Sequence, residues 1–128
     1  MTSAVDTLTT SLRELNETCR VKASVVATDE GFVIASAVRR GVDEKVGAAM
    51  GSFVHSAAER ARDELALGRI RDVTIRCQDG TLVCKAAELA DGRLVILAAL
   101  VAPTTRFYTR SVNNALRKVG DALRQLKV

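Results

Sequence analysis

The sequence is poor in the side chains that most often carry chemistry. Among 128 residues there is no Trp, one Tyr and three Phe, too few rings to stack successive bases of a single strand. The one histidine, His55, stands among helical residues with no acid pattern near it, so a Ser/His/Asp arrangement has no support. Three cysteines, Cys19, Cys77 and Cys84, form an odd set with no close pair. Zinc needs four convergent ligands, and the reading for these thiols is free and buried. The stretch "GAAMGS" has two glycines but no P-loop lysine, and it falls inside a helix whose amides are already bonded. No apolar run reaches the ~18 residues of a membrane span. The start "MTSAVDTLTTSLREL" lacks the basic and apolar regions of a secretory signal. These absences predict a cytoplasmic protein that is not an enzyme and carries no cofactor and no metal.

What is present suits a globular domain: 48% hydrophobic and 27% charged residues. The length predicts one domain over residues 1–128, able to bury a core without disulfides or metal. The net charge of +4 is unevenly spread. From Thr104 to Val128 the cations Arg106, Arg110, Arg117, Lys118, Arg124 and Lys127 face one acid, Asp121, so that segment is +5 and the rest −1. Such a segment can meet phosphate, on nucleic acid or on anionic lipid, or an acidic protein. The plainer reading is the polar face of a helix lying on a sheet, its later cations matched to the helix dipole.

Leu8, Leu12 and Leu15 at helical spacing predict a first helix over 7–18. Val21, Ala23, Val25 and Ala27 alternate, and "FVIASAV" follows the turn "TDEGF", so residues 21–37 read as a β-hairpin. Asp43 is a candidate N-cap for a helix from Glu44 to about Leu67, with Gly68 beyond its end. Three strands follow, with turns at Asp79-Gly80 and Asp91-Gly92. With that first turn, Ile75, Cys77, Leu82 and Cys84 share one face, and Arg76, Val83 and Lys85 the other. "LVILAALV" is apolar at every position, the mark of a central strand covered on both faces. After Pro103, Tyr108, Val112, Ala115, Val119, Ala122 and Leu126 predict a last helix. The order is α-β-β-α-β-β-β-α, an α/β domain by layers with a mainly antiparallel five-stranded sheet.

The helix "VGAAMGSFVHSAAERA" accepts two interior glycines, each costing about 0.5–1 kcal/mol against alanine. On a helical wheel Val46, Met50, Phe53, Ala57 and Ala61 fall within ~60° of one another, and Gly47, Gly51, Val54 and Ala58 form a neighbouring small-residue face. The expectation is that the bulky stripe packs on the sheet. The small face then admits a partner helix at close range, as small residues four apart do elsewhere. A second copy related by a two-fold axis would supply that helix.

In this order of elements the chain resembles the Roadblock / dynein light-chain family, most of all its prokaryotic branch. The resemblance lies in "VKASVVATDEGFVIAS", "EKVGAAMGSFVHSAAERA" and "GTLVCKAAELADGRLVILAAL", a pattern of hydrophobics and glycine turns with no diagnostic motif. It implies a profilin-like three-layer domain, helices on both faces of a sheet of order 2-1-5-4-3, with "IRDVTIRC" at an edge. It also implies a homodimer that pairs this edge with its copy and packs the central helices together. Gly47, Gly51, Val54 and Ala58 would then be helix contacts, and Val73 and Ile75 would lie on the paired strand. Pairing would cover an edge otherwise prone to aggregation.

By the same resemblance the partner is a Ras-like small GTPase, bound by a regulator or scaffold that can stimulate GTP hydrolysis without being catalytic itself. Ser52, His55, Glu59 and Arg62 are the candidate docking residues. No catalytic residue carries over, and an arginine finger from Arg62 is not expected. The alternatives are a structural adaptor without effect on a GTPase, a heterodimer with a related Roadblock domain, and a nucleic-acid or membrane-surface binder through the basic last helix; the scarcity of rings weighs against a stacking platform for single strands.

Overall fold

The computed structural model describes residues 4–89, 91–102, 110, 113, 114, 117, 118 and 121. Helix α1 spans Ala4–Cys19, and strands β1 (Val21–Thr28) and β2 (Val33–Val38) form the expected hairpin. Helix α2 spans Glu44–Leu65, followed by β3 (Val73–Cys77), β4 (Gly80–Glu88) and β5 (Leu94–Val101). Residues 110, 113, 114, 117, 118 and 121 are helical and exposed. The apolar stripe expected of the last helix (Tyr108, Val112, Ala115, Val119, Ala122, Leu126) lies outside the described residues.

The sheet has the order β2-β1-β5-β4-β3, antiparallel at every pairing. β5 sits in the centre, and Val95 to Ala99 are buried without interruption. Its alternate side chains feed two cores. Val95, Leu97 and Ala99 join Leu8, Leu12 and Leu15 of α1 on one face. Ile96 and Ala98 join Cys84 under α2 on the other, beside a second cluster of Val25, Ala27 and Ala48. The element order and the helices on both faces are as the sequence predicts, and the sheet order is the one the family resemblance implies.

Local chemistry sets the ends of the elements. Asp43 caps α2, its carboxylate accepting the Lys45 amide at 2.9 Å. The helix closes at Ala66, a left-handed residue with φ 53° whose N–H returns to the Arg62 carbonyl. At the hairpin tip Gly31 takes φ +95° and its N–H donates to the Thr28 carbonyl at 2.9 Å, a conformation open to glycine at little cost. On α1, Asn16 donates to the Ala37 carbonyl and accepts from the buried Ser24 hydroxyl, both at 2.8 Å, tying the helix to the hairpin.

The β3–β4 turn is displaced from the expected position. Cys77 pairs with Gly80, so the two-residue loop is Gln78-Asp79. Because the shift is by one residue on each strand, the alternation survives: Ile75, Cys77, Leu82 and Cys84 still share a face. Cys77 itself is exposed, against the expectation of a buried thiol.

The rotation of α2 is the main correction. Its small face meets the sheet. A Cβ built on Gly51 would stand 3.2 Å from the Ala98 Cβ and 3.6 Å from Ile96 Cγ2. One on Gly47 would stand 3.2 Å from Val25 Cγ2. Ala48 is wholly buried, and Val54 packs on the Cys84–Ile96–Ala98 cluster. The stripe expected to face the sheet points away from it: Val46 is 56% exposed, Met50 46% and Phe53 69%, with Ala57 and Ala61 also exposed. Gly47 and Gly51 are therefore spent on a close helix–sheet approach and are not free to contact a partner helix. Two polar tethers hold this rotation. The Ser36 hydroxyl on β2 donates to the Glu44 carboxylate, and the Ser52 hydroxyl donates to the Asp29 carbonyl at 2.5 Å. Glu44, Ala48, Gly51, Ser52 and His55 lie on one side of a 100°-per-residue wheel, and that is the side turned inward.

Candidate interaction surface

The outward stripe of α2 is bulky, apolar and unpartnered. Val46, Met50 and Phe53 follow a 4,3 spacing along the first half of the helix, and Leu65 and Leu67 are exposed at its far end. Beside Val46 and Met50 the surface drops into an open groove of about 460 Å³, floored by Val25, Leu82, Ala98 and Leu100. Scattered exposed apolar residues are ordinary; a contiguous ridge beside an apolar groove marks a contact surface.

Next to it lies the free edge of the sheet. β3 pairs only with β4 among the described strands, so the other side of its backbone presents unpaired amides and carbonyls. Ile75 is exposed on it and Val73 half-buried. Val73 and Ile75 project to the α2 side, since Val73 belongs to the cluster under that helix. An open edge of this kind accepts another strand.

The four predicted docking residues divide. Ser52 is tethered to Asp29, and His55 is buried at 6% exposure, its Nε2 standing 3.6 Å from Glu59 Oε1. Neither presents its polar group outward, a correction to their choice as docking residues. Glu59 and Arg62 are half-exposed and belong to a run of exposed ion pairs: Arg62 with Glu59 at 4.0 Å and with Asp63 at 2.9 Å, and Arg60 with Glu64 at 3.0 Å. The hydrogen bond from Arg62 holds the Asp63 carboxyl below its ordinary range and raises Arg62 in turn. Exposed pairs of this kind contribute little to stability, and they leave the second half of α2 mixed in charge.

Elsewhere the groups stay apart. Among the described residues no three His, Cys, Asp or Glu side chains converge as metal ligands, and no helix among them is long and apolar enough to cross a membrane. Cys84 is buried beneath α2, and desolvation pushes its thiol up to about 11, far from a reactive thiolate. On the α1 side Lys118 meets Glu14 at 3.5 Å and Lys85 donates to Asn113.

The surface is built of one apolar helix ridge, one open strand edge and no reactive cluster. Residues 7–98 match the Roadblock/LC7 domain. The chain belongs to the Roadblock/LC7 family. Among its relatives is the uncharacterized protein MJ0714 of Methanocaldococcus jannaschii, 40% identical over 87 residues, 67% of this chain and 71% of that one. Among solved structures the gliding protein mglB of Thermus thermophilus superposes with a TM-score of 0.82 at 12% identity, over 96% of this chain and 93% of that one. An MglB described as having a tetrameric arrangement gives a TM-score of 0.74 at 14% identity, over 94% and 88% of the two chains. For this Roadblock/LC7 chain those structural likenesses establish the fold. Hydrophobicity alone assigns the bulky residues of the ridge inward; the opposing signal was Ser52 and the Glu44 carboxylate on the other side of the helix.

Proposed function

We propose that the protein is a homodimeric, cytoplasmic, single-domain regulator or scaffold for a Ras-like small GTPase, with no catalytic activity of its own. The observation that carries the self-association is the exposed ridge Val46, Met50 and Phe53 beside the open edge of β3. Two copies pairing β3 with β3 and α2 with α2 would bury both at once, as a two-fold contact requires. The interface residues are then Val46, Met50 and Phe53 together with Val73 and Ile75; Gly47, Gly51, Val54 and Ala58 support them from beneath by holding α2 close to the sheet. Membership of the Roadblock/LC7 family supports the partner class. Glu59 and Arg62, half-exposed further along α2, remain the docking residues proposed for the GTPase.

The test is solution mass by light scattering over a range of concentrations. Wild type is expected at twice 13.7 kDa and Phe53→Asp at a single protomer with its helical circular dichroism retained. A monomeric wild type overturns the dimer. Turnover of candidate Ras-like GTPases, with and without the protein, then separates activator from scaffold.

A further inference from the structure

The opposite face of the molecule carries a second apolar feature. A groove of about 550 Å³ opens where the start of α1, the β1–β2 turn and the β4–β5 turn meet. Val5, Ile34, Leu89 and Val95 line it with apolar surface, and Phe32 stands at its lip, 67% exposed. It lies on the α1 side of the sheet, since Ile34, Leu89 and Val95 belong to the core under α1. The α2 ridge is on the other side.

The lip is rigidly built. The Thr28 N–H donates to the Phe32 carbonyl at 2.9 Å, and the Phe32 N–H donates to the Thr28 hydroxyl at 3.1 Å. The Ser52 tether to the Asp29 carbonyl fixes the turn to α2 from below. The exposed ring thus stands on a fixed backbone beside an apolar groove, where an aromatic anchor can be buried by a partner.

The charge at the rim selects the occupant. Asp29 and Glu30 are exposed and line the groove, and among the described residues no cation pairs with either carboxylate. Among the described residues the one cation in the lining, Arg93, is neutralised within its own turn. Its Nε donates to Asp91 at 2.6 Å and its backbone N–H to the same carboxylate at 3.0 Å. Two negative charges without a cation among the described residues therefore flank an apolar groove.

We propose that this groove binds a short peptide segment of a partner protein, one that inserts bulky apolar side chains and carries lysine or arginine beside them. Because it lies across the sheet from the α2 ridge, both surfaces can be occupied together, and a dimer would present two such grooves, raising avidity for a repeated or clustered segment.

The test is selection from a phage-displayed random dodecapeptide library on the immobilised protein, followed by binding of the enriched peptides by fluorescence anisotropy. Enriched sequences are expected to pair apolar anchors with basic flanks. Their affinity should fall about tenfold or more on Val5→Asp, and weaken as salt rises. The double variant Asp29→Lys, Glu30→Lys changes two exposed turn positions and should turn the selection toward acidic flanks. Phe53→Asp should bind the same peptides unchanged, so failure of the dimer reading leaves this one standing. No enrichment, enrichment indifferent to Val5→Asp, or acidic flanks on the unaltered protein would each overturn the proposal. So would full competition by a peptide of residues 122–128, which would make the chain's own end the occupant.

Discussion

The two helices that cover the sheet solve the same problem in opposite ways. α1 presents three leucines to its face, Leu8, Leu12 and Leu15, and each is almost completely buried. α2 presents mainly glycine and alanine, and turns Val46, Met50 and Phe53 outward. On the α1 side large residues fill a generous space. On the α2 side the strands already supply the bulk through Val25, Ile96 and Leu82, so the helix must come close and can do so only where its side chains are small. A helix that must cover a sheet and also meet a partner divides its residues between the two tasks by size as well as by polarity.

The sharpest way to break this contrast is to shorten a leucine on α1. Leu12→Ala removes a wholly buried side chain and should lower unfolding free energy by about 2–5 kcal/mol in urea titration. Met50→Ala on α2, measured in the monomeric Phe53→Asp background, should stay within about 0.5 kcal/mol of its parent. If both substitutions cost alike, the ridge is part of the core and the comparison fails.

Next in size is the converse change on α2. Gly51→Leu drives a side chain into Ala98 and Ile96, whose atoms would stand 3.2 and 3.6 Å from the first added carbon. Ala98 cannot rotate its Cβ away, so strand or helix must shift, at about 1–3 kcal/mol. The readout that separates this from an interface effect is the stability of the protomer at concentrations where no dimer forms. A protomer of unchanged stability that no longer dimerises would restore the small face to the role the sequence suggested for it.

That reversal marks how far the sequence could be read. The strands, the burial of "LVILAALV" on both sides and the Asp43 cap follow from signals of short range: alternation, a continuous apolar run, a carboxylate before a helix; the sheet order came from the family resemblance. The face assignments across the β3–β4 hairpin also held while its turn moved, because strand alternation has a period of two and a turn displaced by one residue on each side preserves it. The rotation of α2 had no such protection. Its apolar arc is broad, so hydrophobicity permits more than one orientation, and the choice follows from the bulk the strands already supply, held by two hydrogen bonds, Ser36 to Glu44 and Ser52 to Asp29. Both join residues on different elements that come together only in the folded chain. The burial of His55 and the outward turn of Phe53 follow from the same choice.

The smallest effect belongs to the two thiols on the β3–β4 hairpin, which share a face yet differ in what covers them. Cys77 is exposed near the end of β3, while Cys84 lies under α2 with its thiol pushed by desolvation from 9.0 to about 11. In a Cys19→Ser background, iodoacetamide at pH 8 should modify Cys77 in the native protein and reach Cys84 only as fast as the fold opens. The raised value also has a sign in stability. The folded protein holds the Cys84 proton more tightly than the unfolded chain, so its contribution is fully present below pH 9 and is lost as pH rises toward 11. Replacing Cys84 by Ala should flatten that decline, whereas replacing Cys77 should leave it as it is. Rapid native labelling at Cys84 would mean that α2 lifts from β4, and the close approach permitted by Gly47 and Gly51 would then be a transient contact in place of a fixed one.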